Sequence, residues 1–188
     1  MDQEPQRRFY LKEFKAISKA ISTYEDLNIL INHFVEGVTR AFKVKGAVIM
    51  LYDEIEAQLF TVSSFGISEN YLKKGPVFLN PQDDALVKGE PVFVQDLQTD
   101  ARVQYPEAAR AENIRAMLSF PIKNRGAVVG LLRIYHSESI LLHPDDVDSI
   151  AVLVRHLGLV IENSGLRNFL QSVCGAIAGL PPRMRNGF

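Results

Sequence analysis

The sequence predicts an α+β fold in which an antiparallel sheet lies between two layers, and three observations support this prediction. Two pairs of apolar segments are each separated by a short polar turn, which is typical of β-hairpins. Residues 127–135 are apolar at both even and odd positions over most of their length, as expected for a central strand covered on both faces. Amphipathic helical patterns lie near both ends of the chain.

Two helices are predicted before the first strand. Residues 11–21 place apolar side chains at helical spacing with lysines between them, which indicates an amphipathic first helix. From Leu27 to Val38, apolar residues recur at i, i+3, i+4, i+7, i+8 and i+11, so one face of a second helix must be buried. Ser22 and Glu25 match the S-x-x-E capping box, which predicts that the second helix begins there.

Six segments have the pattern of β-strands, bounded by residues that favour turns. They are residues 47–52, 58–63, 77–79, 92–94, 116–122 and 127–136. Between the two long hairpins the chain is irregular, with a single helical turn expected at 83–87. A short helix is expected at 106–112, where Pro106 suits a first helical turn.

A long helix is predicted at the C-terminal end. It begins at Pro144, where a proline followed by two aspartates suits a helix N-terminus. Apolar residues from Val147 to Ile161 repeat with 3,4,3,4 spacing, which is a heptad seam. The repeat continues from Leu166 to Ile177, but the five-residue step after Ile161 rotates the apolar stripe.

The composition disfavours several classes of protein. A net charge of -1 over 188 residues disfavours nucleic acid as a partner, because phosphate binding needs clustered basic side chains. Cys174 is the single cysteine and forms neither an intramolecular disulfide nor, alone, a zinc site. The charged N-terminus lacks a signal-peptide core, and no segment reaches the roughly 18 apolar residues that span a bilayer. We therefore expect a cytoplasmic protein with no membrane partner.

Catalytic and metal-binding motifs are also missing from the sequence. It contains no H-E-x-x-H, Walker A, G-x-S-x-G or paired-cysteine motif, and its 4 histidines lack metal-ligand spacing. Asp145 and Asp146 form a carboxylate pair, which the helix N-terminus explains better than general acid-base chemistry. We expect no metal site and no catalytic activity.

Five stretches of the chain, taken in order, carry family motifs. They are a strand with an acidic end (89–96), a D-x-R element (100–102), two hairpin strands (113–122 and 126–135), and the helix start L-H-P-D-D (142–146). Their order and spacing resemble the GAF domain family, the small-ligand sensor module of phosphodiesterases, phytochromes and many bacterial signalling proteins. The resemblance covers residues 20–165.

The resemblance implies a six-stranded antiparallel sheet with the N- and C-terminal helices on one face. The other face would carry a ligand pocket of loops and short helices from residues 66–115, as in GAF-like and PAS-like folds. The chain would then consist of an N-terminal amphipathic helix (1–21), a GAF-like domain (22–165), and a C-terminal helix extension with a frayed tail (166–188).

We predict eleven ligand-binding residues on the pocket side. The bulky ones are Phe65, Tyr71, Phe78, Phe93, Tyr105 and Met117, and the polar ones are Asp96, Arg115, Ser119, Arg133 and His136. Arg133 lies on an apolar central strand, where a buried charge needs a partner. Two interpretations stay open: a structural pair with Asp96 or another carboxylate near the end of the strand, or a contact with the ligand. The aromatic residues could likewise form core rather than ligand contacts.

Several ligands of the family are disfavoured by the residues present. Relatives that attach bilins, and the free-methionine sulfoxide reductases, depend on cysteines in or near the pocket, whereas Cys174 lies outside the sandwich. Haem-binding relatives use a pocket histidine, and the middle segment has none. Of the cyclic-nucleotide signature only the acidic end at Asp145–Asp146 is present. We expect an unidentified small molecule and no covalent cofactor.

The terminal helices predict a homodimer. The candidate interface residues are Leu11, Phe14, Ile161, Leu166, Leu170, Val173 and Ile177, with the small residues Ala151 and Gly158 allowing close approach. The alternative is that these stripes pack on the sheet of their own chain. The predicted function is a non-enzymatic sensor that dimerises through its terminal helices and can signal to a partner protein in trans. A ligand-free dimerisation or adaptor module and a cyclic-nucleotide-binding domain are the alternatives.

Overall fold

The computed structural model describes residues 11–24, 26–78, 85–139 and 142–178, with the side chain of Phe169 and those beyond Gln171 outside the description. The helices are α1 (Leu11–Thr23), α2 (Leu27–Phe42), α3 (Glu69–Leu72), α4 (Ala85–Lys88), α5 (Pro106–Ala111) and α6 (Pro144–Ala178). The strands are β1 (Gly46–Asp53), β2 (Gln58–Phe65), β3 (Val77–Phe78), β4 (Val92–Val94), β5 (Ala116–Asn124) and β6 (Ala127–His136).

The strands form a single sheet of six in the order β3-β2-β1-β6-β5-β4, and each neighbouring pair is antiparallel. The two long hairpins lie side by side through β1 and β6 at the centre. This confirms the predicted fold class, and the predicted strands agree with the observed ones to within two residues. Residue 79 of the third predicted strand lies outside the described residues.

One face of the sheet carries α1, α2 and α6. Successive side chains of a strand point to opposite faces, so Ile49 of β1 and Phe120 of β5 meet Phe34 of α2 and Leu157 of α6 in one core. All four are at most 1% exposed. We call this the helix-side core. Burying side chains of this size contributes roughly 1.5–3 kcal/mol each, which holds the helices on this face.

The second helix begins differently from the prediction. Ser22 lies in the last turn of α1, where its hydroxyl donates to a backbone carbonyl one turn earlier. The N-cap of α2 is Asp26, whose Oδ1 accepts from the backbone N–H groups of Asn28 at 2.8 Å and Ile29 at 3.0 Å. The capping-box prediction is therefore wrong, and its second member, Glu25, lies outside the described residues.

Helix α6 passes very close to β5. A Cβ atom on Gly158 would lie 2.2 Å from the carbonyl oxygen of Lys123, so only glycine allows this approach. Ala151, one of the other small residues of the helix, packs against the helix-side core. Gly158 thus serves contact within the chain, and the prediction that it allows a partner helix to approach is wrong. No helix in the described part of the chain has the length and hydrophobicity to span a membrane.

The opposite face carries a second core beneath the short elements. Val48 of β1 and Tyr135 of β6 pack there with Tyr71 of α3 and Ala109 of α5. Helix α3 was not predicted from the sequence. It begins at Ser68, whose hydroxyl accepts from the backbone N–H of Tyr71 at 3.3 Å. This core supports the floor of the candidate site.

Candidate functional site

A cavity of about 80 Å³ opens on the face of the sheet opposite α1, α2 and α6. Its floor is formed by β4, β5 and β6, and its walls by α3, the first residue of α4 and the segment 97–105. Six of the predicted ligand-binding residues line it: Tyr71, Phe78, Tyr105, Met117, Ser119 and Arg133. Ser119 and Arg133 are paired across β5 and β6, which places both polar groups on the floor.

Two predicted aromatic residues lie on the other side of the sheet. Phe65 and Phe93 pack against the helix-side core, and the guanidinium carbon of Arg40 lies 5.4 Å from the centre of the Phe65 ring. The β1–β2 register shifts between Ile49 and Met50, and such an irregularity inverts the alternation of side chains along β2. Leu59 belongs to the core on the cavity side, and strict alternation would place Phe65 on that side too. Because the alternation is inverted, Phe65 faces away from the cavity.

The remaining predicted residues lie beside the cavity rather than around it. Asp96 and Arg115 form an ion pair of 3.3 Å, and Asp96 Oδ1 also accepts from the backbone N–H of Gln98 at 2.9 Å. His136 ends β6, where its Nδ1 accepts from the backbone N–H of Glu138 at 3.0 Å. These contacts fix the ends of strands and turns.

Three polar lining residues were missed by the sequence analysis: Lys74, Arg102 and Gln104. Arg102 belongs to the D-x-R element and its guanidinium binds the carboxylate of Asp100, with Nη2 to Oδ2 at 2.6 Å. This hydrogen bond lowers the pKa of Asp100. Lys74 lies two residues beyond the end of α3, and no local pattern in the sequence indicates that it reaches the cavity.

The Gln104 side chain pairs with the backbone of the edge strand β3. Its Nε2 donates to the carbonyl of Phe78 at 2.6 Å, and its Oε1 accepts from the Phe78 N–H at 3.1 Å. Next to it, the Tyr105 hydroxyl donates to the carbonyl of Pro76 at 2.7 Å. A Cβ at Gly75, whose φ is +130°, would lie 2.7 Å from that hydroxyl. This wall of the cavity is therefore closely fitted.

Lys74 lies over an aromatic ring at the cavity wall. Its Nζ is 4.0 Å from the centre of the Tyr71 ring and donates to the Tyr71 carbonyl at 3.2 Å. Burial, and then the like charge of Arg133, lower the pKa of Lys74 to about 8. Burial, with the neighbouring Tyr135, raises the pKa of Tyr71 well above its usual value, so its phenol stays protonated at neutral pH. The rings of Tyr71 and Tyr135 meet edge to face at 5.6 Å.

A polar cluster ties the cavity wall to the central strand. Glu112, just after α5, accepts from the backbone N–H of Ser68 at 3.0 Å and from the Ser68 hydroxyl, and it pairs with Lys45 at 3.4 Å. Although burial favours the neutral acid, the hydrogen bonds from Ser68 and the charge of Lys45 lower the pKa of Glu112. Because Lys45 immediately precedes β1, this cluster joins α3, α5 and the sheet.

Within the described residues, no group of three or more His, Cys, Asp or Glu side chains could hold a metal ion. The side chain of Cys174 lies outside the described residues, while its backbone is part of α6. Nothing in the described lining suggests a covalent attachment point through sulfur. The cavity lining combines hydroxyl, amide and basic groups with apolar side chains.

The predicted interface residues divide into two groups. Phe14 and Ile161 are half-buried and pack against the helix-side core of their own chain. Leu11, Leu166 and Leu170 are exposed, by 65%, 46% and 59%. The side chains of Val173 and Ile177 lie outside the described residues.

Two exposed residues of α6 extend the second group and were missed by the sequence analysis. Val152 and Leu159 are 38% and 57% exposed, and with Leu166 they recur every seven residues. Leu170 follows four residues later. The predicted seam from Val147 to Ile161 faces the sheet, whereas Val152 and Leu159 lie on a second stripe of the same helix. We call Val152, Leu159, Leu166 and Leu170 the outer stripe.

Comparison with known proteins agrees with this architecture. The family model described as "GAF domain" matches residues 25–162. No curated protein matches the chain.

Among solved structures, the chain is similar to the GAF domain of a phosphoenolpyruvate-protein phosphotransferase from Coxiella burnetii, with a TM-score of 0.74, 17% identity, and coverage of 84% of this chain and 95% of that one. The corresponding domain from Acinetobacter has a TM-score of 0.70 and 18% identity, and the match covers 84% of this chain and 96% of that one. Free methionine-R-sulfoxide reductase from Neisseria meningitidis, in complex with its substrate, has a TM-score of 0.69 and 15% identity, and the match covers 88% of this chain and 99% of that one. At these identities the likeness is one of fold.

The family match covers the sheet, both long hairpins and the cavity-bearing middle segment, and the solved structures share that fold. GAF domains are generally regulatory or sensory modules. The chain belongs to the GAF domain family.

Proposed function

We propose that this chain is a non-enzymatic regulatory domain that binds a small molecule in the cavity and dimerises through its terminal helices. The observation that carries the proposal is the cavity itself, in which Lys74, Ser119 and Arg133 converge among aromatic and aliphatic side chains. A concave, mostly apolar site with a few convergent polar groups is what small-molecule binding requires.

The volume supports a small ligand over a cyclic nucleotide. About 80 Å³ is well below the roughly 300–1,000 Å³ of sites that take drug-sized molecules. The sulfoxide reductase among the structural neighbours is the reason to consider an enzyme. That family chemistry depends on cysteines at the pocket, and Cys174, the single cysteine, belongs to α6 on the far side of the sheet. A regulatory role is favoured.

Thermal unfolding against a library of nucleotides, amino acids and organic acids tests ligand binding. A ligand at 100 times its dissociation constant adds about 2.7 kcal/mol, which for a chain of this length raises Tm by roughly 5–10 °C. Ser119→Leu should fill the cavity and abolish the shift, whereas the same substitution at the exposed Ser22 should retain it. Silence across the library would favour the ligand-free adaptor instead.

Dimerisation is supported by the outer stripe. Residues 152, 159 and 166 repeat with heptad spacing on a helix whose other seam is already buried against the sheet. Apolar side chains that repeat at heptad spacing along an exposed helix face are typical of helix–helix interfaces. A second copy of the chain presents the same stripe, and pairing about a two-fold axis would cover both. A ligand could then act by favouring one helix arrangement over another.

Sedimentation velocity distinguishes a dimer from a monomer. We expect the wild type to sediment as a dimer and Leu166→Glu as a monomer, because two charges would be buried at the same interface. Ile55→Glu is the matched control, since Ile55 is 92% exposed on the β1–β2 turn, away from α6. A monomeric wild type, or a control that also dissociates, would contradict the proposal.

A further inference from the structure

The charged side chains that line the cavity in the described part of the chain are all basic. They are Lys74, Arg102 and Arg133. Arg102 is held by the carboxylate of Asp100, with Nε to Oδ1 at 2.9 Å and Nη2 to Oδ2 at 2.6 Å. Lys74 and Arg133 approach the cavity from the wall and the floor. Their like charges repel, which is one of the causes that lower the pKa of Lys74.

The remaining polar groups at the cavity are neutral, and two of them are already hydrogen-bonded to the backbone. The two amide atoms of Gln104 are engaged by the backbone of Phe78. The Tyr105 hydroxyl donates to the carbonyl of Pro76. Ser119 is 2% exposed on the floor, and its hydroxyl is able to donate. Because its charged groups are basic and its other polar groups are neutral, this lining disfavours a cationic ligand.

An anion between two like charges has a double effect in a partly buried site. It gains charge-assisted hydrogen bonds from each cation, and it removes the repulsion between them. Arginine matches the planar geometry of a carboxylate or the oxygens of a phosphate, while lysine supplies a compact charge. The small volume limits the ligand to a few heavy atoms beyond the charged group.

We propose that the cavity selects a small anion, whose carboxylate or phosphate oxygens bind between Lys74 on the wall and Arg133 on the floor. This inference rests on the proposed sensing function and specifies the chemical class of its ligand. The aliphatic side chains of Val92 and Val94 and the ring of Phe78 would contact the uncharged part of the anion.

The first experiment compares anions with neutral molecules of the same shape. Isothermal titration calorimetry is run with acetate, succinate and inorganic phosphate, and with acetamide and succinamide, at constant ionic strength set with sodium chloride. We expect the anions to bind and the amides to bind at least about tenfold more weakly, since hydrogen bonds to charged groups are the stronger ones. Phosphate against the two carboxylates distinguishes the two sources of anionic oxygen.

Matched variants locate the binding. Lys74→Gln and Arg133→Gln should each weaken the best anion by at least about tenfold. Lys73→Gln removes the adjacent, exposed lysine, and Arg110→Gln removes an exposed arginine that pairs with Glu107 on α5, so neither should change the affinity. Circular dichroism confirms that each variant is folded. Equal loss in variant and control would show a non-specific charge effect and overturn the proposal.

Proton uptake gives a readout that a merely structural role would not produce. The titratable and charged groups that line the cavity with Lys74 come from three segments. They are Tyr71 from its own segment, Arg133 from β6, and Arg102 and Tyr105 from the segment before α5. An anion beside Lys74 raises its pKa from about 8, so binding at pH 8 should take up as much as about half a proton. Calorimetry in buffers of different ionisation enthalpy measures this uptake, which Lys74→Gln should abolish.

The outcomes separate the two proposals. Binding of the amides in the cavity without binding of the anions would overturn the anion preference and leave sensing intact, whereas no binding by any library member contradicts both. Asp83 and Asp84 directly precede Ala85 but lie outside the described residues. Anion binding that arises only in the Asp83→Asn, Asp84→Asn double variant would mean that the chain supplies its own counter-charge, and would also overturn the preference.

Discussion

Replacing Gly158 with alanine should destabilise the protein, although alanine is the better helix former. The new Cβ would lie 2.2 Å from the Lys123 carbonyl oxygen and 3.2 Å from its carbon, where ordinary contacts begin at 3.4 Å. Both atoms belong to the backbone of β5, so no side-chain rotation relieves the clash, and α6 or β5 must move by about 1 Å. Overpacking of this kind costs up to about 3 kcal/mol. The helix propensity returns about 1 kcal/mol, which leaves a loss of about 2 kcal/mol.

Gly165, on the same helix, provides the control. No atom lies within 4 Å of a Cβ built there, so Gly165→Ala should gain the propensity of alanine without a clash, up to about 1 kcal/mol. At roughly 2–4 °C per kcal/mol, thermal unfolding should place Gly158→Ala about 4–8 °C below the wild type and Gly165→Ala about 2–4 °C above it. A Gly158→Ala protein as stable as the wild type would refute the close approach of α6 to β5.

Three further predictions concern caps and charges. Asp26→Ala should cost about 1 kcal/mol in urea unfolding, because two backbone N–H groups of α2 lose their acceptor. Glu112→Gln should cost about 1–2 kcal/mol of stability at pH 7, because the hydrogen bonds to Ser68 are weakened. The pKa of Glu112 is lowered in the folded state, so the difference in stability between wild type and variant should shrink as the pH falls below 4.5, the ordinary pKa of the group. The pKa of Lys74 is also lowered in the folded state, so the stability of the wild type should rise relative to that of Lys74→Met between pH 8 and 10.5. The control variant Lys73→Met should show the same change of stability with pH as the wild type.

The sheet was accessible to sequence analysis because its strands are regular. Residues 127–136 are apolar on both parities, and the strand proved to be β6 at the centre of the sheet. The helix α3 was missed because four residues are too few for a helical period, and its signal was only Ser68 at the N-cap. The capping box at Ser22 was wrong because Asp26 offered a competing cap at the same boundary.

The cavity was only partly accessible, for two physical reasons. A register shift inverted the alternation of β2, so the face of Phe65 could not be deduced by counting from Leu59. Strand β4 has three residues, which is too short to show which parity is buried, and it places Phe93 on the helix side. Lys74 reaches the cavity through tertiary folding of α3 against β6, which no local pattern encodes.

The amide of Gln104 has a consequence for how copies of this protein can meet. Strand β3 is one border of the sheet, and an open border exposes N–H and C=O groups that can recruit a strand from another molecule. Gln104 occupies both backbone groups of Phe78, and β4, the opposite border, has only three residues. Growth of the sheet from chain to chain is thereby discouraged at both borders. Gln104→Ala would reopen the β3 border and should raise the tendency to aggregate through strand addition.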